Sequence, residues 1–250
     1  MSRTTLELSA CTFAYRRWLP PVLKDFTYRL PQGLTILLGP NGAGKSTALR
    51  LAASVSRPRA GTVTFDGLAA GTKGYRQAVA WMPQHITAMS GLTAREQVAY
   101  TGWLKGMAKA DAWEQAAGAL DRVGLTPQTD TKVKRLSGGQ LRRVGVASAL
   151  VHGARVLLLD EPTAGMDPRQ RRVFRELLQQ VTDAGVQVLM STHDVTDLAE
   201  EADHVTVLDV GAIAFSGPTE EFLAHAPADT AAGRTAEAAY SLLAESAGGS

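Results

Sequence analysis

Two periodicities alternate along the chain. Leu6 to Tyr15 partly alternates apolar with small or polar residues, which predicts a half-exposed strand. Pro20-Pro21 breaks it, and Phe26–Leu30 predicts a second strand, closed by Pro31-Gln32-Gly33. Leu34–Leu38 is a buried strand, and Ala48–Ala53 a helix. Gly61–Gly67 reads as a short strand ending in a turn, the segment to Gly74 as a loop, and Ala78–Met82 as a strand stopped by Pro83. From Leu92 to Val151 the pattern turns helical. Thr93–Lys105 and Ala110–Val123 are helices, Gly124 and Pro127 are breakers, and the linker to Arg135 is polar and basic.

Val156–Asp160 is again continuously apolar up to its last residue, as in a parallel sheet covered on both faces. Arg169–Thr182 is a charged amphipathic helix. Val186–Met190 and Val205–Leu208 are strands, with a helix at Val195–Glu201 between them. From residue 226 the chain is Ala/Gly-rich, which suggests a weak helix (Glu237–Ala244) in a partly disordered tail. The organisation expected is one α/β domain over 1–225, with its core at 1–84 and 153–225 and a helical lobe inserted at 85–152. A tail follows at 226–250.

Composition narrows the class. A chain of 250 residues suits one large domain. Lys and Arg number 26 against 24 Asp and Glu, a net charge of +2, so no nucleic-acid tail or polybasic anchor stands out and no nucleic-acid partner is expected. The single Cys11 excludes an internal disulfide and suits a reducing compartment. No apolar run approaches the ~20 residues that span a bilayer. A soluble, cytoplasmic chain is the expectation.

The chemistry centres on Gly39-Pro40-Asn41-Gly42-Ala43-Gly44-Lys45-Ser46-Thr47, which fits the phosphate-binding pattern G-x-x-x-x-G-K-[ST]. By composition the bare pattern arises by chance in roughly one such chain in a hundred; the strand before it and helix after it cut that further. Gly42 and Gly44 can take φ > 0, so backbone N–H groups can curl around an anion. The helix opening at Gly44-Lys45 aims its positive end at the same phosphates. Lys45 supplies a point charge to the β/γ-phosphates, Ser46 a hydroxyl for Mg²⁺, and Thr47 a bond to an α-phosphate oxygen.

Two further stretches belong with this loop. Asp160 closes an apolar strand, the position from which Mg²⁺ is held directly or through water, and Glu161 is placed to polarise a water attacking the γ-phosphate. In Leu136-Ser137-Gly138-Gly139-Gln140, Ser137 and Gln140 form a helix capping box. The two glycines leave N–H groups bare at that helix end, an anion site with no lysine of its own.

Together these motifs resemble the ATP-binding subunit of an ABC transporter over about residues 5–224. Pro83-Gln84, Ala164-Gly165-Met166-Asp167 and His193 complete the family's order. The resemblance implies a P-loop NTPase fold of α/β class. It has a mixed, mainly parallel sheet, an N-terminal antiparallel β subdomain and an inserted helical lobe. It implies ATP and Mg²⁺ as ligands. The nucleotide is held by Gly39, Asn41, Gly42, Ala43, Gly44, Lys45, Ser46 and Thr47, with Tyr15 stacked on adenine; Phe13 and Trp18 are alternatives for that stack. Ser46, Gln84 and Asp160 would serve the metal, and Glu161, His193, Gln84 and Lys45 catalysis. Ser137, Gly138, Gly139 and Gln140 would meet the nucleotide of a second ATP-binding subunit, most simply a second copy. Asp167 would sit on the loop crossing to that subunit, with Met166 replacing the usual leucine.

The resemblance also implies integral membrane permease subunits, encoded separately, with this chain peripheral on the cytoplasmic face of the membrane. Ile86, Met89, Trp103 and Met107 would line the groove for a permease helix, unless they pack inside the lobe. Leu136–Arg143, Asp160–Arg169 and Ala236–Leu243 look most like subunits of ABC-2-type export systems. The competing classes are a soluble ABC ATPase acting on ribosomes or DNA, and a non-hydrolysing regulatory module.

Overall fold

The computed structural model describes residues 5–195, 202–231 and 233–248. Its first sheet is antiparallel. Strand β1 (Leu6–Phe13) lies between β2 (Leu23–Arg29) and β4 (Ala60–Phe65), and the short β5 (Leu68–Ala69) extends β4. The second sheet is built on β3 (Leu34–Leu38). With β6 (Val79–Met82), β7 (Val156–Asp160), β8 (Gln187–Thr192), β9 (His204–Asp209) and β10 (Ala212–Pro218), its order is β10-β9-β3-β8-β7-β6. All its pairs are parallel except β9 with β10.

The continuous apolar runs follow from burial on both faces. Ile36, Leu38, Leu157, Leu159, Val188 and Met190 pack on one side, among the larger helices. Leu37, Val156, Leu158 and Leu189 alternate with them and pack on the other, against the antiparallel sheet. Helix α1 (Lys45–Ala52) packs on that second side through Leu49 and Leu51. Helix α6 (Pro168–Asp183) covers the first side with Phe174, Leu177, Leu178 and Val181, one helical stripe. Register brings the carboxyl ends of the strands into line: Leu38 pairs with Thr192, Asp160 with Ser191 and Met82 with Leu159. The crevice beyond strand carboxyl ends is where α/β sheets bind ligands.

Between β6 and β7, α3 (Ala94–Leu104), α4 (Lys109–Arg122) and α5 (Gly138–Leu150) form a helical layer. Thr93 and Glu96 close a capping box that starts α3, with N···O distances of 3.2 and 2.6 Å.

Several expectations need correction. The segment before β6 is not all loop: α2 (Lys73–Ala78) forms there, capped by Thr72 and anchored by the fully buried Tyr75, whose hydroxyl donates to the Ala52 carbonyl. Gly71 and Gly74 hid it. Strand β10 and the short α7 (Thr219–Leu223) were also unforeseen. The Ala-rich end forms α8 (Thr235–Gly248), which packs on the core through Ala236 and Ala239, beside α7 and β9. Small side chains that suggest a loose tail instead permit close approach. The helix expected at Val195–Glu201 lies outside the described residues.

Candidate functional site

The loop between β3 and α1 has the geometry its glycines allow. Gly42 and Gly44 have φ of 88° and 107°, in the left-handed region. Gly39 is demanded by proximity, since a Cβ there would lie 2.2 Å from the Leu208 carbonyl oxygen. Gly44 is the N-cap of α1 and supplies no capping side chain, so the helix presents a bare N-terminus. The Ala43 carbonyl accepts from the Gly211 N–H at 2.9 Å, clipping the loop to the β9–β10 hairpin. Asn41 and Ser46 are exposed on the loop, whereas Lys45 and Thr47 are buried. The Lys45 ammonium donates to the Gly39 and Pro40 carbonyls at 2.6 and 3.0 Å. Burial lowers its pKa, while the nearby Glu161 and Asp160 pull the other way. A phosphate arriving there would restore the charged form's advantage.

Ser46 donates to Asp160 Oδ1 at 2.9 Å. Ser191, fully buried on β8, donates to the same oxygen at 2.9 Å and accepts from the Glu161 N–H at 3.1 Å. Glu161 follows with φ of 45°, a conformation a non-glycine residue holds only under constraint. Its carboxylate accepts from Gln84 Nε2 at 3.0 Å and lies 3.3 Å from His193 Nδ1. Four expected residues from three segments therefore converge: Gln84 after β6, Asp160 and Glu161 at the end of β7, and His193 after β8.

A hydroxyl and a carboxylate in direct contact form an oxygen-only donor set, which fits Mg²⁺. Among the described residues no group of three or more His, Cys, Asp or Glu side chains could hold a metal.

Tyr15 stands beside the loop, half exposed, with its hydroxyl 2.9 Å from Thr47 Oγ1 and its ring edge-on to Phe13. Thr47 thus has a partner in Tyr15. Trp18, 77% exposed, packs only loosely under Arg16.

Ser137 to Gln140 start α5 in the expected capping box, with bonds of 3.3 and 2.9 Å. They do not join the cluster around Lys45. Ser137, Gly139 and Gln140 line a separate cavity of about 500 Å³ with Met166, Asp167 and Gln170. Gly139 is buried there, and a Cβ on it would meet the Gln170 side chain at 3.1 Å. Asp167 caps α6 by accepting from the Gln170 N–H at 2.8 Å. The expected groove is only partly assembled. Ile86 and Met89 share a cavity of about 230 Å³ with Trp81, Lys105 and Ser148. Trp103 lies instead in a crevice with Tyr100 and Trp113, and Met107 is packed against Gly102 inside the lobe.

Sequence reasoning missed two residues of the cluster. Ser191 is visible only through the pairing of β7 with β8. Arg142, on α5, donates to the Gln84, Glu161 and Ala164 carbonyls; nothing in its sequence position separates it from an ordinary helix arginine.

Residues 23–164, more than half of the chain, match the family model described as "ABC transporter". The daunorubicin/doxorubicin resistance ATP-binding protein DrrA of Streptomyces peucetius is 36% identical over 195 residues, covering 77% of this chain and 59% of that protein. The methionine import ATP-binding protein MetN of Caulobacter vibrioides is 35% identical over 202 residues, covering 78% and 61%. The chain thus spans about three fifths of the length of these curated relatives. The structure of cbiO1 from Clostridium perfringens, described as part of the ABC transporter complex cbiONQ, superposes with a TM-score of 0.77 at 26% identity, covering 88% of this chain and 91% of that one.

Proposed function

The chain belongs to the ABC transporter family as an ATP-binding ATPase, and from that premise we propose that it closes as a dimer over two ATP molecules and drives a membrane permease in the direction of export. The observation that carries the proposal is the Glu161 carboxylate, held between Gln84 and His193 beside the Lys45 loop. In that position it orients and deprotonates the attacking water. Lys45 and the N-terminus of α1 neutralise charge on the phosphates, and Tyr15 offers a face for the adenine. Ser46 and Asp160 would hold Mg²⁺, with Gln84 beside them, and the ion would neutralise charge on the phosphate oxygens.

Dimerisation is supported by the bare start of α5. Gly138 and Gly139 leave N–H groups without a lysine nearby, and Gly139 lines a cavity to which Lys45 does not belong. A second subunit's nucleotide supplies the missing anion. Export is supported by the resemblance of residues 136–143 and 160–169 to ABC-2-type subunits and by the resistance protein among the relatives. The import protein among them makes direction a matter for experiment. A position on the cytoplasmic face of a membrane follows from the permease partner. Among the described residues no helix is long and apolar enough to cross a membrane.

The test is co-purification. Glu161→Gln, tagged and expressed in its native host, is extracted with mild detergent and ATP. A polytopic membrane protein at near-equal amount supports the proposal, and its identity narrows the cargo. Ribosomes or DNA-repair proteins in its place support the soluble ABC ATPase class.

A further inference from the structure

We propose that Arg142 is a positioning residue that ties the start of α5, the helix carrying Ser137, Gly138 and Gly139, to the hydrolytic carboxylate of the same subunit. Its Nη1 donates to the Gln84 carbonyl at 3.2 Å and, more weakly, to the Glu161 carbonyl at 3.5 Å. Its Nη2 donates to the Ala164 carbonyl at 2.9 Å. These oxygens lie on two separate segments: Gln84 at the exit of β6, and Glu161 and Ala164 on the turn that leads from β7 to α6. Among the described residues no carboxylate pairs with this guanidinium, so its donors serve carbonyl oxygens. A planar fork spreads its donors over three such oxygens in a fixed geometry, which the compact ammonium of a lysine does not reproduce.

The contacts form a closed ring. Arg142 holds the backbone of Gln84, the Gln84 side chain holds the Glu161 carboxylate, and the Glu161 backbone returns to Arg142. Glu161 needs such support because its backbone is left-handed. Ser191 takes its N–H from one side, and Arg142 takes its carbonyl from the other. The neighbouring Arg143 points elsewhere, donating to the Val123 and Gly124 carbonyls at 3.0 and 3.2 Å at the end of α4. Helix α5 is thus fastened to the lobe by one arginine and to the hydrolytic residues by the other. When a partner's phosphate seats the start of α5, Arg142 carries that seating to Gln84 and Glu161. Hydrolysis is then tuned to the closed dimer.

This rests on reading Ser137–Gly139 as the half-site for a partner's nucleotide. The test uses the full chain and measures the Kd for a fluorescent ATP analogue, kcat, and single-turnover hydrolysis. Arg142→Met is expected to lower kcat on the order of 30-fold, the scale of a misplaced catalytic group. The Kd should stay within about threefold, because the loop at Lys45 is untouched. In a Glu161→Gln background the same change should add less than about threefold in single turnover, because the group being positioned has already lost its role. A merely structural role would give equal losses in both backgrounds and would weaken nucleotide binding in step. That result, or a kcat for Arg142→Met within about threefold of wild type, overturns the inference. Should Arg142→Met fail to fold, Arg142→Lys keeps the charge but replaces the planar fork with a compact ammonium. It is expected to fold and still lose about threefold or more in kcat, and an unchanged kcat overturns the inference equally. A wild-type chain with no ATPase activity would instead overturn the reading of the site itself.

Discussion

Ser191→Ala isolates one buried hydroxyl on which both acidic residues of the site depend. The side chain is fully buried, donates to Asp160 Oδ1 at 2.9 Å and accepts from the Glu161 N–H at 3.1 Å. Losing a hydrogen bond to a charged carboxylate costs about 1.5–3 kcal/mol, and orphaning a buried N–H costs roughly 1–3 kcal/mol. Asp160 keeps its bond from Ser46, which limits the first loss. A net destabilisation of about 2–5 kcal/mol is therefore expected, or roughly 5–15 °C in Tm for a domain of this size. The kinetic effect is separable. With its N–H released, the left-handed backbone of Glu161 loses one of its holds, and a shift near 1 Å in its carboxylate lowers kcat about 10–100-fold. The Kd for ATP should change by less than about threefold, since the Lys45 loop is intact. Thermal unfolding and steady-state ATPase assays read the two effects. A Tm within about 1 °C of wild type together with a kcat within about twofold would refute the reasoning.

Three other perturbations test different parts of the molecule. Tyr15→Ala should weaken ATP binding by about 5–100-fold, the scale of a base–aromatic stack, while Tyr15→Phe stays near wild type; equal affinities for all three proteins would move the adenine to Phe13 or Trp18. Burial, reinforced by Lys105, holds the His152 imidazole down at about 4 against an ordinary 6.5, and neither ring nitrogen has a hydrogen-bond partner. Between those two values the unfolded chain binds a proton that the folded chain refuses, so stability falls as pH falls through the window, by up to about 3 kcal/mol. His152→Leu should flatten that slope in urea titrations, and an unchanged slope would show that the acid sensitivity lies elsewhere. Met89→Glu should leave ATP binding intact and remove the co-purifying membrane protein; retention of that protein would place the docking groove elsewhere.

What was legible in the sequence was what local spacing encodes. The glycine loop, the capped start of α5 and the apolar run ending in Asp160 each carry their local geometry within a few residues: left-handed glycines, a capping box and a buried parallel strand. Gln84 and His193 were legible through the order of motifs rather than through any local signal. The change to a helical pattern after Gln84 gave the lobe, while the antiparallel sheet, left by the hydrophobic pattern as isolated strands, came from the resemblance. What escaped depends on contacts between distant segments. Ser191 matters because β8 pairs with β7 at Asp160. Arg142 matters because α5 passes three loop carbonyls. Trp103 and Met107 look alike as apolar residues at the end of α3, yet Met107 packs under Gly102 while Trp103 lines a different crevice from Met89. Helix α8 was expected, over Glu237–Ala244, but its packing was not, because alanines that read as low complexity are small enough to sit against the core.

The central claim is that Glu161 activates water in a site completed by a second subunit. The most direct measurement is the solution mass of purified Glu161→Gln, with and without Mg-ATP, by size-exclusion chromatography with light scattering, together with a count of retained nucleotide. A monomer without nucleotide that becomes a stable dimer holding two unhydrolysed ATP molecules is the expected result. A protein that stays monomeric and turns ATP over at the wild-type rate would contradict both the role of Glu161 and the shared site.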